Sequence, residues 1–137
     1  MKVEEVKNGK RMLDAFEIRR KVFVVEQEVS AAEEYDEFED SSIHLLALDG
    51  DRPLGTSRIR KTAHGTKLER FAVLAENRGT GVGDALLREC LERCKKEPVV
   101  YLHAQEQVMN FYAKHGFVAE GERFYECEIP HFKMVKK

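Results

Sequence analysis

The sequence predicts a mixed α/β fold (α+β in its ordering): a central sheet that starts as an antiparallel meander, ends in parallel strands and is flanked by helices. Two observations predict it. In the first half, β-prone segments are joined by short turns, which makes them antiparallel neighbours. A glycine-rich loop then leads into an amphipathic helix and another strand, the pattern of a right-handed crossover between parallel strands. The length of 137 residues suits one domain, read as residues 1–137.

Met1 to Val6 reads as a short first strand, and Gly9 punctuates it. From Lys10 to about Val25 the pattern is helical, with Leu13, Phe16 and Phe23 on one face. Glu26 to Asp40 is acidic and irregular, a loop holding a short helix. Ile43–Leu48, Leu54–Arg60 and Lys67–Leu74 are the strands of the meander. Asp49-Gly50-Asp51-Arg52-Pro53 and Ala63-His64-Gly65-Thr66 turn between them. The helix after the glycine-rich loop runs to about Lys96, its apolar stripe made of Val82, Ala85, Leu86, Cys90, Leu91 and Cys94. Lys95 and Lys96 suit its negative end, and Pro98 stops it. Val99–Ala104 should then lie parallel to Lys67–Leu74. A short helix, Val108–His115, ends at Gly116. Two strands follow, Phe117–Phe124 and His131–Val135, with Pro130 between them.

With 42% hydrophobic and 35% charged residues, the chain is not of the disordered class. A formal net charge of -2 and the lack of a clustered basic face exclude nucleic-acid binding. No apolar run approaches the ~20 residues of a membrane span. The first residues carry no apolar signal region, so a cytoplasmic protein is expected. Cys90, Cys94 and Cys127 fit a reducing compartment. Cys90 and Cys94 share a helix face, where core packing is expected, and no further ligand at metal-binding spacing accompanies them.

The loop Arg78-Gly79-Thr80-Gly81-Val82-Gly83 carries the chemistry. Glycine at a helix start costs stability, so its benefit must be space. A ligand can approach the backbone there, facing free N–H groups and the positive end of the helix dipole. The natural ligand is a phosphate, with Arg78 adding charge. Asp84 follows Gly83 where a Walker loop needs Lys-Ser/Thr, and the G-x-G-x-G spacing departs from the dinucleotide fingerprint. A plain glycine-rich turn between strand and helix is the alternative.

The loop resembles the Arg/Gln-x-x-Gly-x-Gly/Ala pyrophosphate loop of the GNAT superfamily of N-acetyltransferases. Asn110-Phe111-Tyr112-Ala113-Lys114-His115-Gly116-Phe117 resembles that superfamily's N-x-x-x-x-x-G-F segment. The order of elements matches over nearly the whole chain. Arg19, Val22-Phe23, Glu26-Gln27, Glu34-Tyr35-Asp36 and His44 look like a bacterial subgroup of small GNAT proteins.

The resemblance implies two splayed parallel strands, Lys67–Leu74 and Val99–Ala104, with the pantetheine arm of acetyl-CoA between them. It implies backbone pairing of pantetheine with Phe71, Ala72 and Val73, a pyrophosphate held by Arg78 through Gly83, and an Asn110 contact to the arm. Tyr112 would be the general acid that protonates the departing thiolate. Glu69 matches the position of a general base. Strict alternation puts Glu69 on the face of Phe71 and Val73, which the bulge expected in this strand would change, and an ion pair with Arg70 is its structural alternative. His44, His103 and His131 are further candidate bases. The acceptor amine would meet the loop from Glu26 to Asp40 and the chain near Ile129-Pro130-His131. The carboxylates of Glu26 and Asp36, among others there, would attract a cation. No metal is implied, and a homodimer is compatible because GNAT proteins often dimerise.

The activity implied is acetyl transfer from acetyl-CoA to a primary amine of a small molecule or peptide, directly in a ternary complex. Transfer through Cys127 is not favoured. The alternatives are a non-catalytic acyl-CoA-binding regulatory module and a synthase using S-adenosylmethionine, since Arg19 to Glu26 faintly resembles acyl-homoserine-lactone synthases.

Overall fold

In a computed structural model describing residues 1–137, the strands are β1 (Lys2–Glu5), β2 (Ile43–Asp49), β3 (Arg52–Thr62), β4 (Gly65–Val73), β5 (Val100–Gln105), β6 (Phe117–Glu126) and β7 (Ile129–Lys136). They form one mixed sheet in the order β1-β2-β3-β4-β5-β7-β6. Helices α1 (Gly9–Arg19), α2 (Ala31–Glu34), α3 (Val82–Arg93) and α4 (Met109–Ala113) connect them. No helix is long and apolar enough to cross a membrane.

The meander forms as its turns dictate, and β5 joins β4 in parallel. Strand alternation then sorts the core into two layers. Leu45 and Ala47 point to one face with Leu86, Leu87 and Cys90 of α3, while Leu46 and Leu48 point to the other with Ala15 and Ile18 of α1. Cys90 and Cys94 are buried in the first layer. At Gly55 a Cβ would lie 2.9 Å from the Ala72 carbonyl and from Val82, so glycine lets the start of α3 lie against the sheet.

Three expectations change. Asn8 caps α1, its side chain accepting from the Arg11 amide, but the buried face is Ala15, Ile18 and Arg19; Leu13 is 69% exposed. The helix also loosens into a π-helical turn over Arg20–Glu26, which aims Glu26 at the glycine-rich loop. Pro130 lies inside β7, paired only with β6 through Tyr125; β5 pairing begins at His131, so the missing N–H costs no second ladder. The turn before it is Cys127-Glu128, both residues at positive φ, the backbone of a two-residue hairpin.

β4 carries the feature that positions the site. Thr56 pairs with Ala72 and Arg58 with Glu69, so β4 holds one residue more than β3 across that step. The extra residue is absorbed at Arg70, whose φ is 57°. Phe71 and Val73 consequently join the α3 layer, and Ala72 the α1 layer. Glu69 is thrown to the α1 face, opposite Phe71 and Val73.

Candidate active site

β4 and β5 pair only at Thr66–Val100, Lys67–Tyr101 and Leu68–Leu102. Beyond Leu68 the strands part and open a cleft of about 800 Å³, within the ~300–1,000 Å³ typical of small-molecule sites. Phe71, Ala72 and Val73 form one wall with their unpaired strand edge, while His103 and Gln105 line the other. The glycine-rich loop closes one end of the cleft. Its other end lies among Glu33, Lys67, Glu69, Glu126 and His131.

At the loop, Gly79 and Gly81 have φ of 77° and 91°, a conformation a side chain would strain, and a Cβ on either would point into open space. Gly81 is the N-cap of α3. The first α3 amide to find a backbone acceptor is that of Ala85, on the Gly81 carbonyl, so the amides before it face the cleft end unpaired. Val82 and Gly83 line the cleft, with the Val82 side chain in the core. Thr80 turns away, its hydroxyl donating to the Asn77 carbonyl. Asp84, the one carboxylate in this first turn, is paired to Arg88 (2.6 Å) and His115 (2.8 Å). Arg78 donates from Nε to the Val73 carbonyl (3.0 Å) and grips both Glu26 oxygens from its fork (2.9 and 2.8 Å). Glu26 therefore lies beside the loop, far from the acidic end of the cleft where an acceptor cation was expected.

Tyr112 of α4 is buried between Phe71 (5.8 Å), Phe111 (5.1 Å) and Phe117 (6.2 Å), yet lines the cleft. Burial pushes its phenol above the ordinary tyrosine range. Asn110 is exposed and does not line the cleft; Gln105 and Gln107 lie nearby instead, with Gln105 donating to Gln27 across the opening (2.9 Å).

Glu69, which lines the cleft, and Asp36, which does not, belong to one buried ion network. Arg58 is 1% exposed. It donates to Glu69 and, through its fork, to both Asp36 oxygens (2.8 and 2.8 Å). Arg60 and Lys67 also hold Glu69, and Arg70 reaches Asp36 and Glu34. The alternative of an ion pair between Glu69 and Arg70 is not what forms; Arg58, Arg60 and Lys67 hold Glu69 instead. Burial alone would raise the Glu69 carboxyl, but the Arg60 hydrogen bond and the Arg58 and Lys67 charges outweigh it and bring it down to about 2. Asp36 is likewise held well below the carboxylate range, its burial overcome by Arg58. Both oxygens of Asp36 are engaged, and it does not line the cleft. His44 is also outside the cleft; one ring nitrogen meets the Glu39 carbonyl at 2.8 Å.

Two of the candidate histidines, His103 and His131, occupy the acceptor end with Glu126, which the sequence did not single out. His103 Nδ1 lies 2.8 Å from Glu126, whose other oxygen is 3.6 Å from His131. The structure brings together no group of three or more His, Cys, Asp or Glu placed to hold a metal ion.

A family profile described as "Acetyltransferase (GNAT) domain" matches residues 6–137. A Bacillus subtilis (strain 168) protein described as "Uncharacterized N-acetyltransferase YjcF" is 40% identical, over 99% of both chains. Among solved structures, that of Escherichia coli ElaA superposes with a TM-score of 0.88 at 26% identity, covering 99% of each chain. An acyl-CoA N-acyltransferase from Pseudomonas aeruginosa superposes with a TM-score of 0.86 at 26% identity, covering 99% of this chain and 97% of that one.

Proposed function

The chain belongs to the GNAT family of acetyltransferases, and from that premise we propose that it moves the acetyl group of acetyl-CoA to a primary amine in one ternary complex. The observation that carries this reading is the cleft. An unpaired β4 edge, a loop of free amides and a protonated phenol line one opening. The similarity to an acyl-CoA N-acyltransferase supports the same donor.

In this reading the amides and Arg78 hold the pyrophosphate at the loop (Arg78, Gly79, Gly81, Val82 and Gly83). Thr80 contributes its amide alone. The backbone of Phe71, Ala72 and Val73 pairs with the pantetheine arm as an added strand. The arm brings the thioester past Phe71 to Tyr112. The amine nitrogen attacks the carbonyl carbon, the C–S bond breaks, and Tyr112 gives its proton to the thiolate. The amine approaches from the α1 face, where Glu33 and Glu126 offer carboxylates to a cation; Glu26 and Asp36 are committed to arginines. Cys127 does not carry the acetyl group. Burial and the Glu33 contact push its thiol up to about 11, so it holds its proton. A cytoplasmic location and a homodimer belong to the same proposal.

The test is CoA release from acetyl-CoA with a panel of polyamines, aminoglycosides, amino acids and peptides, alongside calorimetry with acetyl-CoA. Gly81→Asp places a side chain and a negative charge where the pyrophosphate would lie, and should abolish binding. Unchanged affinity in this variant refutes the loop assignment.

A further inference from the structure

Resting on that reading, we infer that His103, held in place by Glu126, is the general base that takes the acceptor's proton. His103 is the first residue of β5 beyond the last β4–β5 pair, Leu68–Leu102, so it stands where the strands part. Its neighbours Leu102 and Ala104 point into the α3 layer, so His103 faces the α1 side, opposite the layer that holds Tyr112. Donor and acceptor chemistry would then meet through the opening from its two faces. The ring is fixed by Phe124, edge-on at 5.0 Å, and by Tyr101 at 5.9 Å.

The tautomer follows from the partner. Burial would raise the Glu126 carboxyl, but the His103 hydrogen bond and the nearby His103, Lys67 and His131 charges outweigh it and place it below its ordinary value. At neutral pH Glu126 is therefore only an acceptor, so in the neutral imidazole the hydrogen sits on Nδ1 and Nε2 carries the lone pair. Nε2 makes no hydrogen bond within the protein, and His103 lines the cleft.

The other candidates are committed. Glu69 is held by Arg58, Arg60 and Lys67. His131 has Nδ1 on the Ile129 carbonyl (2.7 Å) and Nε2 turned to Glu126. The charges around His103 come from both sides of the opening. They are Glu126, His131 and Lys133 on the β6–β7 hairpin and Lys67 and Glu69 on β4.

The protons balance. An ammonium acceptor gives one proton to Nε2, and the freed amine forms the C–N bond. The thiolate leaves with the Tyr112 proton, and the second proton shed by the amine restores the phenol. The proton on His103 passes to solvent.

His103→Asn keeps an N–H for Glu126 but has no basic nitrogen. With acetyl-CoA and the fastest amine of the panel as probes, kcat should fall roughly 10²-fold. The acidic limb of the pH–rate profile should vanish, with the acetyl-CoA Kd unchanged. Glu126→Gln should move that limb to lower pH, because losing the carboxylate destabilises the imidazolium; a merely structural Glu126 would leave it in place. Retained turnover and limb in His103→Asn overturn the assignment while acetyl transfer stands. Failure of the unaltered protein to bind acetyl-CoA strikes at the reading beneath it instead. Imidazole nitrogen NMR of the unaltered protein with acetyl-CoA needs no acceptor: it should show His103 with a hydrogen on Nδ1 and a bare Nε2. The opposite tautomer overturns the inference.

Discussion

A phenol enclosed by Phe71, Phe111 and Phe117 ionises with difficulty, so Tyr112 is protonated at neutral pH and holds a proton that the departing thiolate can take. The group it would protonate, a thiolate, leaves tolerably well unaided, so the acid should matter moderately. Tyr112→Phe keeps the ring and its packing. We expect kcat to fall about 10²-fold, the lower end of general-acid effects, with the acetyl-CoA KM nearly unchanged. Steady-state kinetics decides: full turnover removes the acid role, and a raised KM with intact kcat makes Tyr112 a binding residue. At the other end of the cleft, Glu26 holds the Arg78 fork that the pyrophosphate would use. The pair is exposed, and such pairs are worth ~0.2–1 kcal/mol. Glu26→Gln should therefore tighten the acetyl-CoA Kd by up to about fivefold. Calorimetry showing unchanged or weaker binding would mean that Glu26 does not compete.

Among the elements, charge ties the segment from α2 to β2 to the rest of the fold: Arg70 of β4 reaches Glu34 and Asp36, and arginines of α1 and β3 add further pairs. Arg19 pairs with Glu34 (2.6 Å) and Glu39 (2.8 Å), while Arg58 links Asp36, Glu39 and Glu69. The Glu69 carboxyl falls from an ordinary 4.5 to about 2 on folding. Its stabilisation is complete above pH ~4.5 and is lost as pH falls through about 2, amounting to about 3 kcal/mol. Glu69→Gln should destabilise the protein by about that much at pH 7 in urea unfolding, and the difference should shrink as pH falls toward 2. A variant within ~1 kcal/mol of the original would show a loosely held carboxylate and return Glu69 to the candidate bases. This element also shows what the sequence could not say. The meander, the loop, α3 and parallel β5 were legible because turns and periodicity are local. The bulge was expected only through the family resemblance, and its place was not legible: Arg70 takes a positive φ without being glycine, and that single extra residue decides which face Glu69 occupies. The sequence offered Arg78 as a candidate anion-binding residue, but Glu26, 52 positions away, was not legible as its partner. His103 and Glu126 stand 23 residues apart and meet through a hairpin whose turn, Cys127-Glu128, lacks glycine. No local pattern announces such a pair.

Over the whole molecule, the cleft divides the sheet into β1–β4 and β5–β7, joined within the sheet by only three residue pairs. A pantetheine arm lying between Phe71–Val73 and β5 would act as a strand and tie the halves together. Binding should therefore stabilise the fold as a unit. At a ligand concentration of 100 times Kd the gain is ~2.7 kcal/mol, which for a domain of this size raises Tm by about 10 °C. Hydrogen exchange should slow along the free edges of β4 and β5 together, because one ligand bridges both. Gly81→Asp should lower the unliganded Tm by a few degrees, since an aspartate must adopt the positive φ that Gly81 has at 91°. The informative quantity is thus the shift produced by acetyl-CoA, which should vanish in that variant. A full shift in Gly81→Asp would place the pyrophosphate elsewhere. Protection confined to the loop, with neither strand edge slowed, would show that the arm does not enter the opening between β4 and β5.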